Sequence, residues 1–405
     1  MKLLFVNIAY PVECYEQFKK DTNGQLSNAV NTFQWAIIDG LEQSGCDYSM
    51  ACVPTLPAWP RYKHLCTPSG VMTVDGKPRG HYLSFFDAPA IKQVHQRYVL
   101  RQYIREWCKK NSSEDKLIVL VYTTYAQWLG AALDVKKEFP NLIVVPIVTD
   151  LIDNAMDHAG NRTPLKRIQV KLEDKAEHKL YKYVDKFVLI SKLMTECIPE
   201  AEGKNIVIEC MAPKGSLDMR VRAKKNVEQR TLLYTGTLNE YGGVDMLVDA
   251  FLKTTDKRFK LVICGGGGDT THIEEAAARD GRIDFKGSVS REEAVRLQQT
   301  STMLINPRLP NGSITKYSFP SKTMEYMTSG TPMIGYKLEG IPDEYYKHMF
   351  IPASHSVEDL TACINETLLL PQEELDKKAK NAGEFIRINK NPKAQVCRMI
   401  EFLVK

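Results

Sequence analysis

The sequence predicts an α/β protein with two doubly wound, Rossmann-like domains, and three observations predict it. At 405 residues the chain is longer than one ordinary hydrophobic core. Short apolar runs alternate with longer segments of helical period, which is typical of parallel strands joined by crossover helices. The series of apolar runs also starts a second time, after a segment with Pro, Gly and Ser at residues 211–216.

The first series contains six strand candidates, at 2–9, 48–53, 117–122, 142–148, 186–190 and 206–209. An irregular stretch between Pro54 and Trp107, rich in Pro and aromatic residues, contains a hairpin-like turn at Asp75-Gly76. Such an insertion shapes a surface for a partner or an acceptor, or is an ordinary surface excursion. The sequence leaves both readings open.

The second series contains five strand candidates, at 231–234, 260–264, 282–285, 303–306 and 332–335. Two helices follow Pro371, and the last, at 392–404, carries an apolar face that can pack on the first domain. We therefore expect an N-terminal domain at 1–211, a C-terminal domain at 212–390 and a terminal helix at 391–405 that packs on the N-terminal domain.

The composition excludes several classes of protein. With 43% hydrophobic and 25% charged residues it is that of a globular chain, and no apolar run is long enough to span a bilayer. The first apolar run stops at Asn7 and Pro11, which favours a buried strand over a signal peptide. The ten cysteines lack zinc-like spacing, and a net charge of +5 is modest for a nucleic-acid binder. We expect a cytoplasmic protein that binds no nucleic acid.

The most informative segment runs from residue 306 to residue 332. Its pattern predicts a strand end, a loop, a helix that begins near Pro320 and a glycine that ends this helix. A helix start at the carboxyl edge of a parallel sheet offers free backbone amides to a phosphate. Arg308 and Lys322 would add positive charge beside a diphosphate, and Glu325 can accept hydrogen bonds from two ribose hydroxyls. Equally, Lys322 and Glu325 form an ordinary surface pair at i, i+3 beside a packing face.

This segment resembles the signature of the retaining family 4 glycosyltransferases of GT-B fold. Within them it is similar to the subset that reads S-F-P-S-K-x-x-E-Y-M-x-S-G-x-P in bacterial surface-polysaccharide synthesis. The resemblance covers nearly the whole chain and is strongest in the second domain. It implies two Rossmann-like domains that face a central cleft. It also implies transfer of a sugar from a nucleoside-diphosphate sugar to a glycan or lipid-linked glycan acceptor, with retention at the anomeric carbon. We expect the donor to be UDP-linked.

The resemblance also implies which residues contact the donor. In the second domain they are Gly236, Thr237, Gly266, Val289, Tyr317, Ser318, Phe319, Ser321 and Glu325, with Arg308 and Lys322 as catalytic cations. On physics alone, the glycine run at 265–268 is a tight turn, because it lacks the Lys-Ser/Thr of a P-loop.

Three first-domain residues are implicated in the same way. Asn23 and Gly24 stand where the family has a Gly-rich loop after strand one, or they form only the turn before a helix. Asp150 stands at a strand end that faces the reacting sugar in many relatives, where it would be catalytic, or it caps the following segment.

Four positions depart from the family pattern of histidine, acid, arginine and lysine: Thr149, Tyr317, Thr237 and Gly242. Arg308 and Lys322 are left to neutralise the diphosphate. The departures keep open a non-catalytic partner subunit with the same fold. A sugar-nucleotide epimerase of this architecture is a further alternative, which the signature around Glu325 disfavours.

Two further expectations concern metals and membranes. The chain contains no Asp-x-Asp, so we expect neither a metal nor a cofactor, and the protein's own cations and amides must stabilise the leaving group. Residues 162–186 hold eight basic and four acidic residues. Their apolar stripe is expected to face the core, and it comprises Leu165, Ile168, Leu172, Ala176, Leu180 and Val184. Alternatively, five cations contact anionic lipid at the inner membrane face: Lys166, Arg167, Lys171, Lys175 and Lys179.

Overall fold

A computed structural model describes residues 1–89, 91–151, 164–212, 215, 228–310 and 312–405. The predicted α/β class with two Rossmann-like parallel sheets is confirmed. The chain divides into two compact units, Met1–Pro213 with Pro392–Lys405, and Lys214–Asn391. The predicted boundaries, at 211/212 and 390/391, lie close to these divisions.

The first unit contains an eight-stranded sheet in the order β3-β4-β2-β1-β5-β6-β7-β8. Its strands are Lys2–Asn7 (β1), Tyr48–Cys52 (β2), Gly70–Val74 (β3), Lys77–Tyr82 (β4), Leu117–Tyr122 (β5), Leu142–Val148 (β6), Phe187–Leu189 (β7) and Asn205–Val207 (β8). The central strand β5 is buried along its whole length, because helices cover both faces of such a sheet.

The predicted hairpin extends the edge of this sheet. Strands β3 and β4 pair antiparallel, and β4 pairs parallel with β2. Asp75 and Gly76 have φ values of 47° and 77°, as a two-residue hairpin turn with left-handed backbone requires. The helices of this part of the chain are Tyr15–Asp21 (α1), Asn28–Ser44 (α2), Lys92–Lys110 (α3), Ala126–Lys136 (α4) and Pro164–Tyr181 (α5).

The second unit contains a five-stranded parallel sheet in the order β11-β10-β9-β12-β13. Its strands are Arg230–Thr235 (β9), Phe259–Cys264 (β10), Ile283–Phe285 (β11), Met303–Asn306 (β12) and Met333–Gly335 (β13). Its helices are Val244–Leu252 (α6), Thr271–Arg279 (α7), Arg291–Thr300 (α8), Gly312–Lys316 (α9), Ser321–Thr328 (α10), Val357–Leu368 (α11) and Gln372–Asn389 (α12). The chain winds outward through β10 and β11 and then returns to β12 beside β9. The carboxyl ends of β9 and β12 are therefore the topological switch point, where sheets of this kind bind ligands.

The terminal helix, Pro392–Val404 (α13), packs on α2 of the first unit. Gly40 permits the close approach, because a Cβ there would lie 2.5 Å from the Pro392 carbonyl oxygen. Lys186 Nζ donates to the Phe402 carbonyl at 2.7 Å, which ties the end of α13 to the first sheet.

The prediction that the apolar stripe of α5 faces the core is wrong for its central part. Leu172 is 62% exposed, and Ala176 is exposed as well, whereas Glu177 and Tyr181 are buried. The helix is turned so that Tyr181 can donate to the buried carboxylate of Glu177. The side chains of Leu165 and Ile168 lie outside the described residues. Among the described helices, none has both the length and the apolar character needed to cross a membrane.

Candidate functional site

Three loops meet backbone to backbone at the carboxyl edge of the second sheet. The amide of Gly236 donates to the Cys264 carbonyl at 2.9 Å, and the amide of Gly265 donates to the Gly287 carbonyl at 2.8 Å. A Cβ at Gly265 would clash with the Gly236 carbonyl oxygen. The glycine run therefore has a packing function, as the tight-turn alternative expects.

The predicted donor residues of these loops lie together. Thr237 is exposed, and its carbonyl accepts from the Tyr234 hydroxyl at 2.8 Å. A Cβ at Gly266 would lie 2.8 Å from Ser288 Oγ, and the half-buried Val289 follows that serine. The structure thus brings Gly236, Thr237 and Gly266 to one edge of the sheet, beside the segment of Val289.

Arg308 lies just after β12, and its charge has no ionic partner among the described residues. The preceding Pro307 carbonyl packs so closely on the loop after β9 that a Cβ at Gly243 would clash with it. Arg308 Nε is buried without a hydrogen-bond partner, and no carboxylate within the described part of the chain interacts with this guanidinium. Burial lowers the pKa of Arg308, and the nearby Tyr234 partly offsets this decrease. A partly desolvated, unpaired guanidinium is a strong site for an anion.

The loop before α10 is held by close backbone packing. A Cβ at Gly340 would clash with the Ser318 carbonyl oxygen, so only glycine fits there. Phe319 is buried, and its ring lies 5.2 Å from that of Tyr345, so this predicted donor residue packs into the protein. Tyr317 and Ser318 are half-buried.

Helix α10 begins at the predicted place. Pro320 stands at the N-cap, and Ser321, the first helical residue, is exposed. The Pro320 carbonyl accepts from the Thr323 amide, and the amides of Ser321 and Lys322 lie in the same first turn. Gly330, with a φ of 81°, ends the helix.

Lys322 and Glu325 form the pair at i, i+3 that the sequence left as an alternative. Lys322 Nζ lies 3.3 Å from Glu325 Oε1 and 3.2 Å from Oε2. Sequence reasoning missed Gln298 of α8, whose Nε2 donates to Glu325 Oε1 at 2.6 Å. No local signal marks this contact, because the two residues are 27 positions apart.

The first-unit residues Asn23 and Gly24 do not follow β1 directly, because α1 lies between. Both have positive φ, and the Gly24 amide donates to the Lys19 carbonyl at 2.7 Å. They are the exposed turn that ends α1 before α2, as the alternative interpretation expects. Whether they also face a ligand stays a prediction.

Two carboxyl groups with raised pKa lie near the carboxyl edge of the first sheet. Asp150 follows β6, and the surrounding protein desolvates its carboxyl and raises its pKa to about 6, although solvent reaches the side chain. Its proposed capping role concerns residues 152–163, which lie outside the described residues. Glu177 is 4% exposed, and desolvation raises its pKa to about 7.

Glu177 is bound on one oxygen only. Its Oε2 accepts from Thr124 Oγ1 at 2.7 Å and from the Tyr181 hydroxyl at 2.9 Å, whereas the buried Oε1 has no partner within the described residues. Thr123, the neighbour of Thr124, has a φ of 79°, which is strained for a β-branched residue. Glu177 thus anchors a strained turn at the end of β5.

No group of three or more His, Cys, Asp or Glu residues suited to a metal occurs in the described ranges. Metal independence stays a prediction.

Similarity to known proteins is found in sequence over part of the chain and in fold over all of it. Residues 229–369 match the family model described as glycosyl transferases group 1. That range contains the glycine loops, Arg308 and α10. No curated protein matches the sequence.

Solved structures share the fold at low sequence identity. The lipopolysaccharide outer core galactosyltransferase WaaB, in its apo form, is 16% identical, with a TM-score of 0.60 over 100% of this chain and 99% of that chain. HepE of Anabaena in complex with UDP is 12% identical, with a TM-score of 0.60 over 100% of both chains. An E. coli structure described as trehalose-6-phosphate bound with UDP-2-fluoro glucose is 9% identical, with a TM-score of 0.62 over 99% of both. At such identities the likeness shows the fold alone, which is that of GT-B glycosyltransferases.

Proposed function

We propose that this chain is a retaining glycosyltransferase that moves a sugar from a UDP-linked donor to a glycan or lipid-linked glycan acceptor in surface-polysaccharide biosynthesis. The family match over 229–369 and the shared fold support a glycosyltransferase of GT-B type. The observation that carries the proposal is Arg308, a partly buried guanidinium without a carboxylate partner in the described chain, at the edge where such sheets bind ligands.

The donor diphosphate is proposed to bind beside Arg308 and the first turn of α10. The glycine loops let backbone approach closely there, and the amides of Ser321 and Lys322 lie in the first turn of α10, where backbone amides lack intrahelical acceptors. Lys322 would leave its contact with Glu325 and bind phosphate, because a dianionic diphosphate attracts the ammonium more strongly than one carboxylate does. Glu325 would then accept from the ribose hydroxyls.

This arrangement suits a reaction in which a diphosphate departs. Negative charge develops on the leaving oxygen as the bond to the anomeric carbon breaks, and fixed cations and amides stabilise that charge without reorganising. The departing diphosphate helps to remove the acceptor proton, so the protein needs no nucleophile of its own. Retention is supported by the resemblance of the signature segment, and we propose that no metal takes part.

The first test is binding of nucleoside diphosphates. We expect UDP to raise the melting temperature more than GDP, ADP or CDP, because the proposed donor is UDP-linked. A ligand at ~100 times its Kd adds about 2.7 kcal/mol of stability, which is enough to measure. Arg308→Met should abolish this shift, whereas Arg291→Met, which removes an exposed arginine of the same unit, should preserve it. EDTA should leave the shift unchanged. A UDP shift that persists in Arg308→Met would contradict the placement of the diphosphate.

A non-catalytic partner subunit is the second candidate function. The substitutions at Thr149 and Tyr317, where relatives carry a histidine and an acid, favour it. Release of UDP from UDP-sugars in the presence of glycan acceptors separates the two functions. Turnover of any donor rejects the second candidate, whereas UDP binding without turnover across a panel of donors and acceptors supports it.

We further propose contact of α5 with an anionic membrane surface on the cytoplasmic side. The structure exposes Leu172 on the same helix as Lys171, Lys175 and Lys179, and Tyr183 beyond it is 67% exposed. Apolar side chains among lysines suit the interface of an anionic bilayer. The side chains of Lys166 and Arg167, which were predicted to take part, lie outside the described residues.

Liposome flotation with charge reversal tests this contact. Reversing Lys171, Lys175 and Lys179 to Glu should release the protein from vesicles rich in phosphatidylglycerol. The control reverses three exposed lysines at the C-terminal ends of α3 and α4, namely Lys109, Lys110 and Lys137. This control should have a smaller effect on vesicle binding. Equal release by both triple variants would contradict a specific role of α5.

A further inference from the structure

Gln298 is a buried polar residue of α8 that lies against the carboxylate of Glu325. Its side chain is 2% exposed. Its Nε2 donates to Glu325 Oε1 at 2.6 Å and to Thr235 Oγ1 at 3.0 Å. Because an ionised carboxylate only accepts hydrogen bonds, the amide nitrogen must be the atom that faces Glu325.

Thr235, the second acceptor of Gln298, is itself fixed. The hydroxyl of the fully buried Tyr326 donates to the Thr235 carbonyl at 3.0 Å and accepts from the Thr235 amide at 2.9 Å. The hydrogen bonds thus run without interruption from the last residue of β9 through Gln298 to Glu325. Such a network holds its members in one geometry, because a broken member would leave a buried polar group unpaired.

The consequence is that the two oxygens of Glu325 differ. Oε1 is occupied by Gln298 and Lys322, whereas Oε2, among the described residues, accepts only from Lys322 Nζ at 3.2 Å. The side chain of Glu325 is 41% exposed, so a ligand can reach it. A glutamate that is already held by a buried amide loses less rotamer freedom when it binds.

We propose that Gln298 is a positioning residue that makes Glu325 selective for a ribose diol over a deoxyribose. The inference deepens the proposed function and rests on it, because it requires Glu325 to accept from the ribose of the donor. If Gln298 only satisfied a buried network, its loss would lower stability without changing the choice between ribose and deoxyribose.

The test is the Kd of UDP, 2′-deoxy-UDP and 3′-deoxy-UDP, measured by calorimetry. The natural chain should prefer UDP over at least one deoxy analogue by roughly tenfold or more, the value of a hydrogen bond to a charged group. In Gln298→Met and in Gln298→Leu, neither of which can donate a hydrogen bond from this position, the preference should fall below roughly threefold. Two variants guard against one that does not fold.

Ser301→Ala, at the C-cap of the same helix, is the matched control. Ser301 is 3% exposed and its Oγ donates to the Leu297 carbonyl at 2.7 Å, so the variant also loses a buried hydrogen bond. It should keep the full preference for UDP. Equal preferences in Gln298→Met, Ser301→Ala and the natural chain would overturn the inference.

Glu325→Ala separates this inference from the proposed function. If Glu325→Ala binds all three nucleotides as the natural chain does, the ribose site itself is wrong. If Glu325→Ala loses the preference and both Gln298 variants keep it, the site stands and only the role of Gln298 is refuted.

Discussion

Glu177→Gln should remove a pH dependence of stability from the first unit. Desolvation raises the pKa of Glu177 from an ordinary value of 4.5 to about 7, although hydrogen bonds from Thr124 and Tyr181 act in the opposite direction. Between these two values the folded state binds more protons than the unfolded state. The stability of the natural chain therefore falls as pH rises from 4.5 to 7, and the full penalty is present above pH 7.

The size of the effect follows from the shift. A difference of 7 − 4.5 = 2.5 pH units in pKa corresponds to about 3 kcal/mol, since one unit is about 1.4 kcal/mol. Glutamine has the shape of glutamate, and its carbonyl oxygen can accept the bonds from Thr124 and Tyr181. Relative to the natural chain, Glu177→Gln should gain about 3 kcal/mol in free energy of unfolding between pH 4.5 and pH 8.

Tryptophan fluorescence in urea is the appropriate assay. All four tryptophans, Trp35, Trp59, Trp107 and Trp128, belong to the first unit, so the signal reports on the unit that contains Glu177. The free energy of unfolding would be measured at several pH values for both proteins. Parallel curves for the natural chain and Glu177→Gln would refute the assignment of a raised pKa to this carboxyl.

Three further predictions concern charge and close packing. Without ligand, Arg308→Met should be at least as stable as the natural chain in calorimetric melting, because it removes a partly desolvated charge that has no ionic partner in the described part of the chain. Clear destabilisation would show that the guanidinium has a structural partner. Gly265→Ala should cost about 2 kcal/mol or more in the second unit, since its Cβ clashes with the Gly236 carbonyl, and an unchanged urea midpoint would contradict that clash. Gly40→Ala should loosen the packing of α13, because the new Cβ would lie 2.5 Å from the Pro392 carbonyl oxygen. Limited proteolysis should then release the C-terminal segment earlier than in the natural chain, and equal cleavage rates would argue against this packing.

The sequence by itself determined the elements of both parallel sheets and the bounds of α10. Short apolar runs bounded by turn residues are typical of strands in a parallel sheet, and the eleven predicted strands all occur in the structure. Pro320 and Gly330 bracket α10 because their backbone preferences are local.

The tertiary structure decided which side chains meet. Helical period places Leu172 and Glu177 on different sides of α5, but it does not predict which side faces the sheet. The hydrogen bond from Thr124, 53 positions away, shows that the side of Glu177 does. The hydrogen bond from Gln298 to Glu325 likewise joins two helices, and their relative position depends on how each packs on the second sheet. Local preferences extend over one or two turns of chain, whereas such contacts depend on how whole elements pack, and no short motif encodes them.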